Sequence, residues 1–182
     1  MNHINIQYYK TRIGELILGS TDHKLCLLDY RYRKNRQGID NRIQKGLMAN
    51  YIEKDDNVLA ETRTQLDEYL CGTRHDFTIP LKMVGSDFQK SVWHALLNVP
   101  YGTTSTYSNI AQEINNVKAV RAVANANGAN SISIIIPCHR IIGSNGTLVG
   151  YAGGLPAKEK LLILEKHDDL FSSQKINNNK TL

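Results

Sequence analysis

The sequence predicts an α/β (α+β) chain, in which a small N-terminal domain with an antiparallel sheet and helices precedes a mostly helical C-terminal domain. Two observations carry this prediction. Short β-branched and leucine-rich runs separated by turn residues fill the first 30 residues, as is typical of strands. After residue 85, apolar residues recur at helical spacing in successive segments. We place the domains at residues 1–84 and 85–167, followed by a flexible tail over residues 168–182.

Composition restricts the class of protein. The 182 residues are 41% hydrophobic and 21% charged, which is typical of a folded protein and not of a disordered one. No apolar run approaches the roughly 18 residues of a membrane span, and the first residues lack a signal-peptide core. We therefore expect a cytoplasmic, prokaryotic-type intracellular protein without a membrane partner. The net charge of +5 permits a polyanionic partner but does not require one.

The N-terminal domain is predicted to contain a meander and one well-marked helix. Residues 4–9, 16–19 and 24–30 have strand patterns, with a turn at residues 20–22. The basic residues 31–36 are interpreted as a solvated loop in preference to a phosphate-binding cluster. A helix near residues 40–50 has a weaker pattern, whereas residues 58–70 have clear helical spacing and end before Gly72, a residue suited to a C-cap. Residues 77–81 form a short strand or an extended linker.

Three helices are predicted at the start of the C-terminal domain. Ser86 can cap the first, which ends before Pro100. Ser105 can cap the second, and the third covers residues 118–127, with Gly128 closing it. The second and third helices are joined by a tight polar turn, so they form either a helix-turn-helix or a plain helical hairpin within a core. Small alanines and the long cation of Arg121 distinguish the third helix.

Cys138 has the most suggestive setting of the three cysteines. It follows an isoleucine run and Pro137, which we interpret as a buried strand or a rigid extended segment. Cys26 is interpreted as a buried hydrophobe, and Cys71 has no basic neighbour in sequence. No CxxC pair is present, so neither a disulfide scaffold nor a zinc site is favoured. Cys138 is either a buried inert side chain or a nucleophile.

A nucleophilic Cys138 would need a base, because an unperturbed thiol has a pKa near 8.5. His139 is adjacent, but neighbouring side chains in extended chain point apart, so contact requires a turn or a bridging water. Glu165, on a last helix that starts at Pro156, could hold the imidazole if that helix folds back; otherwise it is an ordinary surface charge. The glycine-rich residues 148–154 lack phosphate-binding patterns and suit a lid or a close approach to a flat ligand.

The string Pro137-Cys138-His139-Arg140 resembles the acceptor motif of the O6-alkylguanine-DNA alkyltransferases (methylated-DNA–protein-cysteine methyltransferases). The resemblance extends in one order and spacing over nearly all of residues 84–167, including Thr106-Tyr107, the Ala119–Val123 string and Gly150–Gly154. Residues before about 80 match only loosely. The resemblance implies an RNase H-like N-terminal domain and a C-terminal helix-turn-helix of winged-helix type.

This resemblance also implies a function, namely DNA repair by direct reversal. O6-alkylguanine would be flipped out of duplex DNA, and the alkyl group would pass irreversibly to Cys138 in one turnover. Whether O4-alkylthymine is also a substrate is left open by the sequence. No metal or other cofactor is expected. A monomer is expected, with cooperative binding on DNA left open.

Each matched position carries an implied role. His139 would be a water-mediated base oriented by Glu165, Tyr107 would donate a proton to the leaving guanine, and Asn130 would brace the hinge. Arg121 would fill the vacated stack in the minor groove. The other DNA contacts would be Thr106, Ala119, Ala122, Asn127 and Gly128. The base pocket would be formed by Ile141, Val149, Tyr151 and Ala152.

Departures from the family pattern are few. Thr106 and Ser131 replace the Ser and Pro of many relatives, and Ser131 bears on rate and substrate range rather than on the reaction. Non-catalytic relatives carry tryptophan at the acceptor position, so Cys138 argues against that class. Two alternatives from other classes are a lesion-binding module that transfers nothing and a Cys-His hydrolase.

Overall fold

A four-stranded sheet with two helices forms the N-terminal half of this computed structural model, which describes residues 2–177. Its elements are β1 (Asn2–Thr11), β2 (Gly14–Thr21), β3 (Lys24–Tyr30), α1 (Arg36–Leu47), β4 (Ala49–Glu53) and α2 (Asn57–Leu70). The strand order is β3-β2-β1-β4. The antiparallel meander of β1, β2 and β3 is confirmed, but the sheet is mixed because β4 pairs parallel to β1.

The connections in this half follow from local chemistry. Asp22 and His23 both have positive φ, 49° and 58°, as a two-residue hairpin between twisted strands requires. The turn therefore lies slightly later than the predicted residues 20–22. At the end of α2, Gly72 has φ of 77°, and the N–H of Thr73 donates to the carbonyl of Glu68 at 2.9 Å. This Schellman geometry confirms Gly72 as the helix terminator.

Helices dominate the C-terminal half. Its elements are α3 (Asp87–Leu97), β5 (Ser105–Thr106), α4 (Tyr107–Glu113), α5 (Val120–Gly128), a 3-10 turn (Cys138–Arg140), β6 (Ile141–Ile142) and α6 (Leu155–Asn177). Ser86 and Gln89 form a reciprocal capping box at the start of α3, as the prediction of a cap at Ser86 requires. The cap of α4 is Thr106, not Ser105, because the side chain of Thr106 accepts the N–H of Asn109. Ser105 and Thr106 pair with Ile141 and Ile142 in a short parallel ladder.

The predicted strand after α5 is wrong. Ile134 has φ of 73°, and the N–H of Ile136 donates to the carbonyl of Ile132 at 3.0 Å, so the isoleucine run folds into a tight turn. Leu28 of β3 holds the start of this run through bonds to Ser131 and Ser133, at 2.9 and 2.6 Å. The isoleucines of this run therefore reflect the burial of the turn and not an extended backbone.

The last helix is longer than expected. The sequence predicts a flexible tail over residues 168–182, whereas α6 continues to Asn177. Residues 168–177 contain neither glycine nor proline, so nothing in their backbone stops the helix. The remaining tail residues, 178–182, lie outside the described residues. Within residues 2–177, no helix is long and apolar enough to cross a membrane.

One hydrophobic core joins the two halves. Leucines of β2, β3 and α2 pack in the same buried cluster as Val92 and Trp93 of α3, Ile110 of α4 and Val123 of α5. A smaller cluster lies where Ile39 and Ile43 of α1 cover the other face of the sheet. The larger cluster places the Cys138 turn between the sheet and the helices.

Candidate active site and nucleic-acid interface

Asn130 holds the segment that carries Cys138. Its Oδ1 accepts the N–H of Ile132 at 2.9 Å, and its Nδ2 donates to the carbonyl of Ile136 at 3.0 Å and to Sγ of Cys138 at 3.2 Å. All the groups involved are buried. One side chain therefore closes the isoleucine turn and also contacts the thiol, which fixes the position of Sγ relative to the end of α5.

The imidazole next to Cys138 is paired with a carboxylate from α6. Nε2 of His139 lies 2.7 Å from Oε1 of Glu165, and both side chains are almost completely buried. The other ring nitrogen, Nδ1, has no hydrogen-bond partner among the described residues. If Nε2 carries the proton that Glu165 accepts, Nδ1 presents a lone pair.

Three further groups, which the sequence analysis did not assign to the site, complete the surroundings of Glu165. The guanidinium of Arg140 bonds both carboxylate oxygens at 2.9 to 3.2 Å and donates to the carbonyl of Val99 at 2.7 Å. The hydroxyl of Tyr69 donates to Oε1 at 2.6 Å, and the N–H of Gly102 donates to Oε2 at 3.2 Å. Arg140 was visible in the acceptor motif, but no sequence signal marks Tyr69.

Burial sets the protonation of Cys138 and His139, whereas hydrogen bonds and charges set that of Glu165. Burial raises the pKa of the Cys138 thiol, although the Asn130 amide lowers it in part, and it lowers the pKa of His139 despite the opposing effect of Glu165. Burial alone would also raise the pKa of Glu165, but hydrogen bonds and charges from His139 and Arg140 outweigh it and lower that pKa to about 2. At neutral pH the cluster therefore contains a neutral thiol, a neutral imidazole and a carboxylate.

Lys158 ties the glycine-rich segment to the acceptor turn. Its Nζ donates to the carbonyls of Ile141 and Val149 at 2.5 and 2.6 Å, and its side chain is fully buried. Burial lowers the pKa of Lys158 to about 8. Tyr151 of the same segment packs edge-on against Tyr30 of β3, with ring centroids 5.5 Å apart. The segment is therefore held from both halves of the chain.

A cavity of about 540 Å³ opens onto Cys138. Seven of the sequence-predicted residues line it: Tyr107, Asn127, Gly128, Asn130, Cys138, Tyr151 and Ala152. The other predicted residues lie outside its lining: Thr106, Ala119, Arg121, Ala122, His139, Ile141, Val149 and Glu165. The structure adds Arg33, Lys34, Asn35, Ala124 and Gly150. It is large enough to admit a nucleobase, and its wall includes residues from the N-terminal half.

Helix α5 presents a polar and small-residue face beside this cavity. Arg121 and Ala122 are exposed and Ala119 is half-buried, whereas Asn127 is buried. Thr106, which the sequence assigned to DNA contact, accepts the N–H of Asn109 at 3.2 Å as the cap of α4. The small alanine side chains around the exposed Arg121 leave the backbone of α5 open to close approach by a ligand.

The interpretation of residues 31–36 as a solvated loop holds for Tyr32, Lys34 and Asn35, which are exposed, but not for Arg33 and Arg36. Arg33 and Arg36 both pair with the fully buried Asp29, at 2.7 and 2.9 Å. Arg33 also donates to the carbonyls of Gly128 and Asn130, at 2.6 and 3.0 Å. A buried carboxylate needs a cation within reach, and here the cations come from the basic loop that follows β3. The loop thereby anchors the end of α5.

The donor chemistry around Cys138 is that of proton transfer and nucleophilic attack. Within the described part of the chain, no group of three or more His, Cys, Asp or Glu side chains could hold a metal ion. The thiols of Cys26, Cys71 and Cys138 are all free.

Comparison with known proteins connects this geometry to a family. Residues 87–167 match the family model of the 6-O-methylguanine DNA methyltransferase DNA-binding domain, and residues 4–83 match the ribonuclease-like domain of the same proteins. A methylated-DNA–protein-cysteine methyltransferase of Mycobacterium leprae is 42% identical over 88% of this chain and 91% of its own length. A relative of the same name from Methanosarcina barkeri is 44% identical over 86% of this chain and 93% of its own.

Solved structures agree with the sequence matches. The Mycobacterium tuberculosis O6-methylguanine methyltransferase superimposes with a TM-score of 0.77 at 35% identity, over 91% of this chain and 94% of that one. The structure of Mycobacterium tuberculosis OGT in complex with DNA gives the same TM-score at 36% identity, over 90% of this chain and 94% of that one. The two matched domains together cover most of the sequence, and this chain belongs to the 6-O-methylguanine DNA methyltransferase family.

Proposed function

We propose that this chain repairs DNA by transferring the alkyl group of O6-alkylguanine in a duplex to Sγ of Cys138. The observation that carries the proposal is the position of this thiol. It faces a cavity large enough to admit a nucleobase at the end of α5, and a buried His139–Glu165 pair lies behind it. Family membership supplies the substrate class. The relatives are named for methylated DNA as substrate and cysteine as acceptor.

Access to the lesion requires base flipping, because the O6-alkyl carbon inside a duplex is beyond the reach of a thiol in a pocket. We assign α5 to the minor groove, where the exposed Arg121 fills the stack that the nucleotide leaves. The small side chains of Ala119 and Ala122 allow the backbone of α5 to approach both strands. A surface with few base-reading side chains suits a repair protein, which must act in any sequence context.

Activation of the thiol is assigned to His139. Because burial keeps both the thiol and the imidazole neutral, the proton of Cys138 must move as the thiol attacks. Nδ1 of His139 takes this proton through a bridging water, and Glu165 stabilises the imidazolium that results. Asn130 keeps Sγ in place during the transfer, since its amide bonds both the thiol and the turn beneath it.

The transfer step is a single displacement at carbon. A bond forms between Sγ and the alkyl carbon while the bond from that carbon to O6 breaks, and its electron pair stays with the guanine. Tyr107, which lines the cavity, supplies the proton that the leaving guanine takes up. The product is a thioether, which has no ready route back to the thiol, so each molecule acts once. No step of the transfer reaction requires a cofactor.

The proposal extends to organisation. We assign residues 1–84 and 85–167 to two domains, the second carrying the DNA-binding surface and the acceptor. The protein acts as a monomer in the cytoplasm, where its DNA substrate is reached directly. The base is held around Tyr151 and Ala152, and Lys158 fixes the neighbouring backbone by donating to the carbonyls of Ile141 and Val149.

The test is a transfer assay with duplex DNA that carries radiolabelled O6-methylguanine. We expect the label to move to the protein, at no more than one equivalent, and unmodified guanine to appear in the duplex. Protein that binds the lesion without acquiring label would instead be a lesion-binding module. Label released to solvent over many turnovers would indicate a hydrolase, and either result would overturn the proposal.

A further inference from the structure

The hydroxyl of Tyr69 reaches the His139–Glu165 pair from the N-terminal half of the chain. Tyr69 lies on α2, is fully buried, and packs edge-on against Tyr101 at 6.1 Å between ring centroids. It donates to Oε1 of Glu165 at 2.6 Å and lies 3.4 Å from Nε2 of His139. Nε2 lies 2.7 Å from the same oxygen. One carboxylate oxygen is thus shared by a phenol and an imidazole.

We propose that Tyr69 is a positioning residue that sets the basicity of His139 through Glu165, and that it thereby links the N-terminal domain to activation of Cys138. This inference rests on the proposed function, in which His139 takes the thiol proton. A hydrogen bond from the phenol draws electron density from Oε1, so that oxygen stabilises an imidazolium less than it would with His139 alone. The imidazole then stays neutral to lower pH.

Sharing the oxygen also fixes the tautomer. Oε1 is held by Tyr69 on one side and by Arg140 on another, so it can neither rotate away nor take up the imidazole proton readily. The proton therefore stays on Nε2, and Nδ1 keeps the lone pair that takes the proton of Cys138 through the bridging water. A tyrosine at this position is well suited, because its own pKa is raised far above the usual range by burial and by the charge of Glu165.

Other groups around His139 act on its charge in both directions. The titratable and charged side chains that face it are Glu165 and Lys158 on α6, Tyr151 in the glycine-rich segment, Cys138 and Arg140 in its own turn, and Tyr69 on α2. Burial has the largest effect and lowers the pKa of His139, Glu165 raises it, and Arg140 and Lys158 lower it. Removing the hydroxyl of Tyr69 changes how strongly Glu165 raises the pKa of His139, while the ring of residue 69 keeps its packing.

Tyr69→Phe is the direct test, because it removes the hydroxyl and retains the ring. We expect the acid limb of the single-turnover transfer rate to move to higher pH by about half to one pH unit, the size of one hydrogen bond expressed as a pKa change. In the same variant without DNA, an NMR titration of His139, assigned by the signal missing from His139→Gln, is expected to move in the same direction by the same amount.

Tyr9→Phe is the matched control, because the hydroxyl of Tyr9 donates to Asp67, also on α2, at 2.5 Å and outside the cavity. It should leave both readouts at their wild-type values. The inference is overturned if the Tyr69→Phe profiles superimpose on wild type, or if the rate falls by the same factor at every pH. Absence of transfer by the wild-type protein would overturn the proposed function, while the NMR titration would still test the coupling of Tyr69 to His139.

Discussion

At the scale of single residues, burial has opposite consequences for the two groups that must exchange a proton. It raises the pKa of Cys138 and lowers the pKa of His139, so both are neutral at rest. A neutral thiol is less prone to oxidation than a thiolate, which protects an acceptor that can be used only once. Reactivity then depends on a substrate in the cavity, since the proton moves only as the new bond forms.

Glu165 gives the folded state a distinct pH dependence. Its pKa is lowered to about 2, below the value of the unfolded chain, so the folded state binds this proton less readily. Ionised Glu165 therefore stabilises the folded state by roughly 3 kcal/mol above about pH 4.5. This stabilisation is lost as the pH falls towards 2. We predict that Glu165→Gln flattens this part of the curve of unfolding free energy against pH, measured by urea denaturation.

The same variant should also be less stable at pH 7, by about 3 kcal/mol or more, because Arg140 is left buried without its carboxylate. Glu159→Gln, at an exposed position on the same helix, is the control and should follow the wild-type curve. If Glu165→Gln retained the full wild-type loss of stability on acidification, Glu165 would not be ionised in the way described.

Some site residues follow from sequence and others do not. Cys138 and His139 could be predicted because they are adjacent to each other and to Pro137, and Glu165 followed from the resemblance and from a helix that folds back. Tyr69 is 96 residues from Glu165 along the chain, so only the folded structure brings them together. Arg33 was misjudged for a related reason, since its partner Asp29 directly follows the apolar run of residues 25–28 in β3 and gives no sign of a buried ion pair.

At the scale of elements, the glycine-rich segment depends on close packing against β3. A Cβ at Gly153 would lie 2.3 to 2.6 Å from ring carbons of Tyr30, so the ring or the segment must move. We predict that Gly153→Ala slows alkyl transfer by about tenfold to a hundredfold, because a small displacement of the pocket wall misplaces the base relative to Sγ. Binding to undamaged duplex should change little.

The control for Gly153→Ala is Gly46→Ala. A Cβ at Gly46 would lie 2.5 Å from a methyl group of Val84, a comparable clash on α1 outside the cavity. This variant should lose stability and keep the wild-type transfer rate. The role given to the segment would be wrong if the two variants lost transfer rate equally, as measured by single-turnover kinetics.

Elements with strong local signals were predictable. The capping box at Ser86 and the glycine after α2 mark helix ends through their own side chains or backbone. By contrast, β4 has one buried residue, Ala49, and pairs with a strand more than 40 residues earlier, so its pattern carries little information. The isoleucine run was wrongly predicted as extended because β-branched residues favour strands. Burial against β3 and Asn130 instead fixes Ile134 in a turn.

At the scale of the whole molecule, the two proposed domains share one core and several polar ties. Leucines of the sheet pack in one cluster with α3, α4 and α5, and Arg33 bonds the carbonyls at the end of α5. We predict a single unfolding transition in urea. The transition followed by fluorescence of Trp93, the chain's one tryptophan and a reporter of the α3–α5 contact, should coincide with that followed by far-UV circular dichroism.

Two separated transitions would contradict a shared core, and would indicate that the sheet and the helical part unfold independently. A variant that weakens one half sharpens the comparison. Leu66→Ala on α2 removes buried contacts within the common cluster and should move both probes to lower urea by the same amount.

The central claim, that Cys138 is the acceptor and is consumed in one turnover, is tested most directly by mass spectrometry after incubation with excess O6-methylguanine duplex. We predict a gain of one methyl group per molecule, located on the peptide that contains Cys138, with Cys26 and Cys71 unmodified. The Cys138→Ser variant should bind DNA and gain no methyl group. A methyl group on another residue, or repair of several lesions per molecule with Cys138 unchanged, would show that Cys138 is not the acceptor.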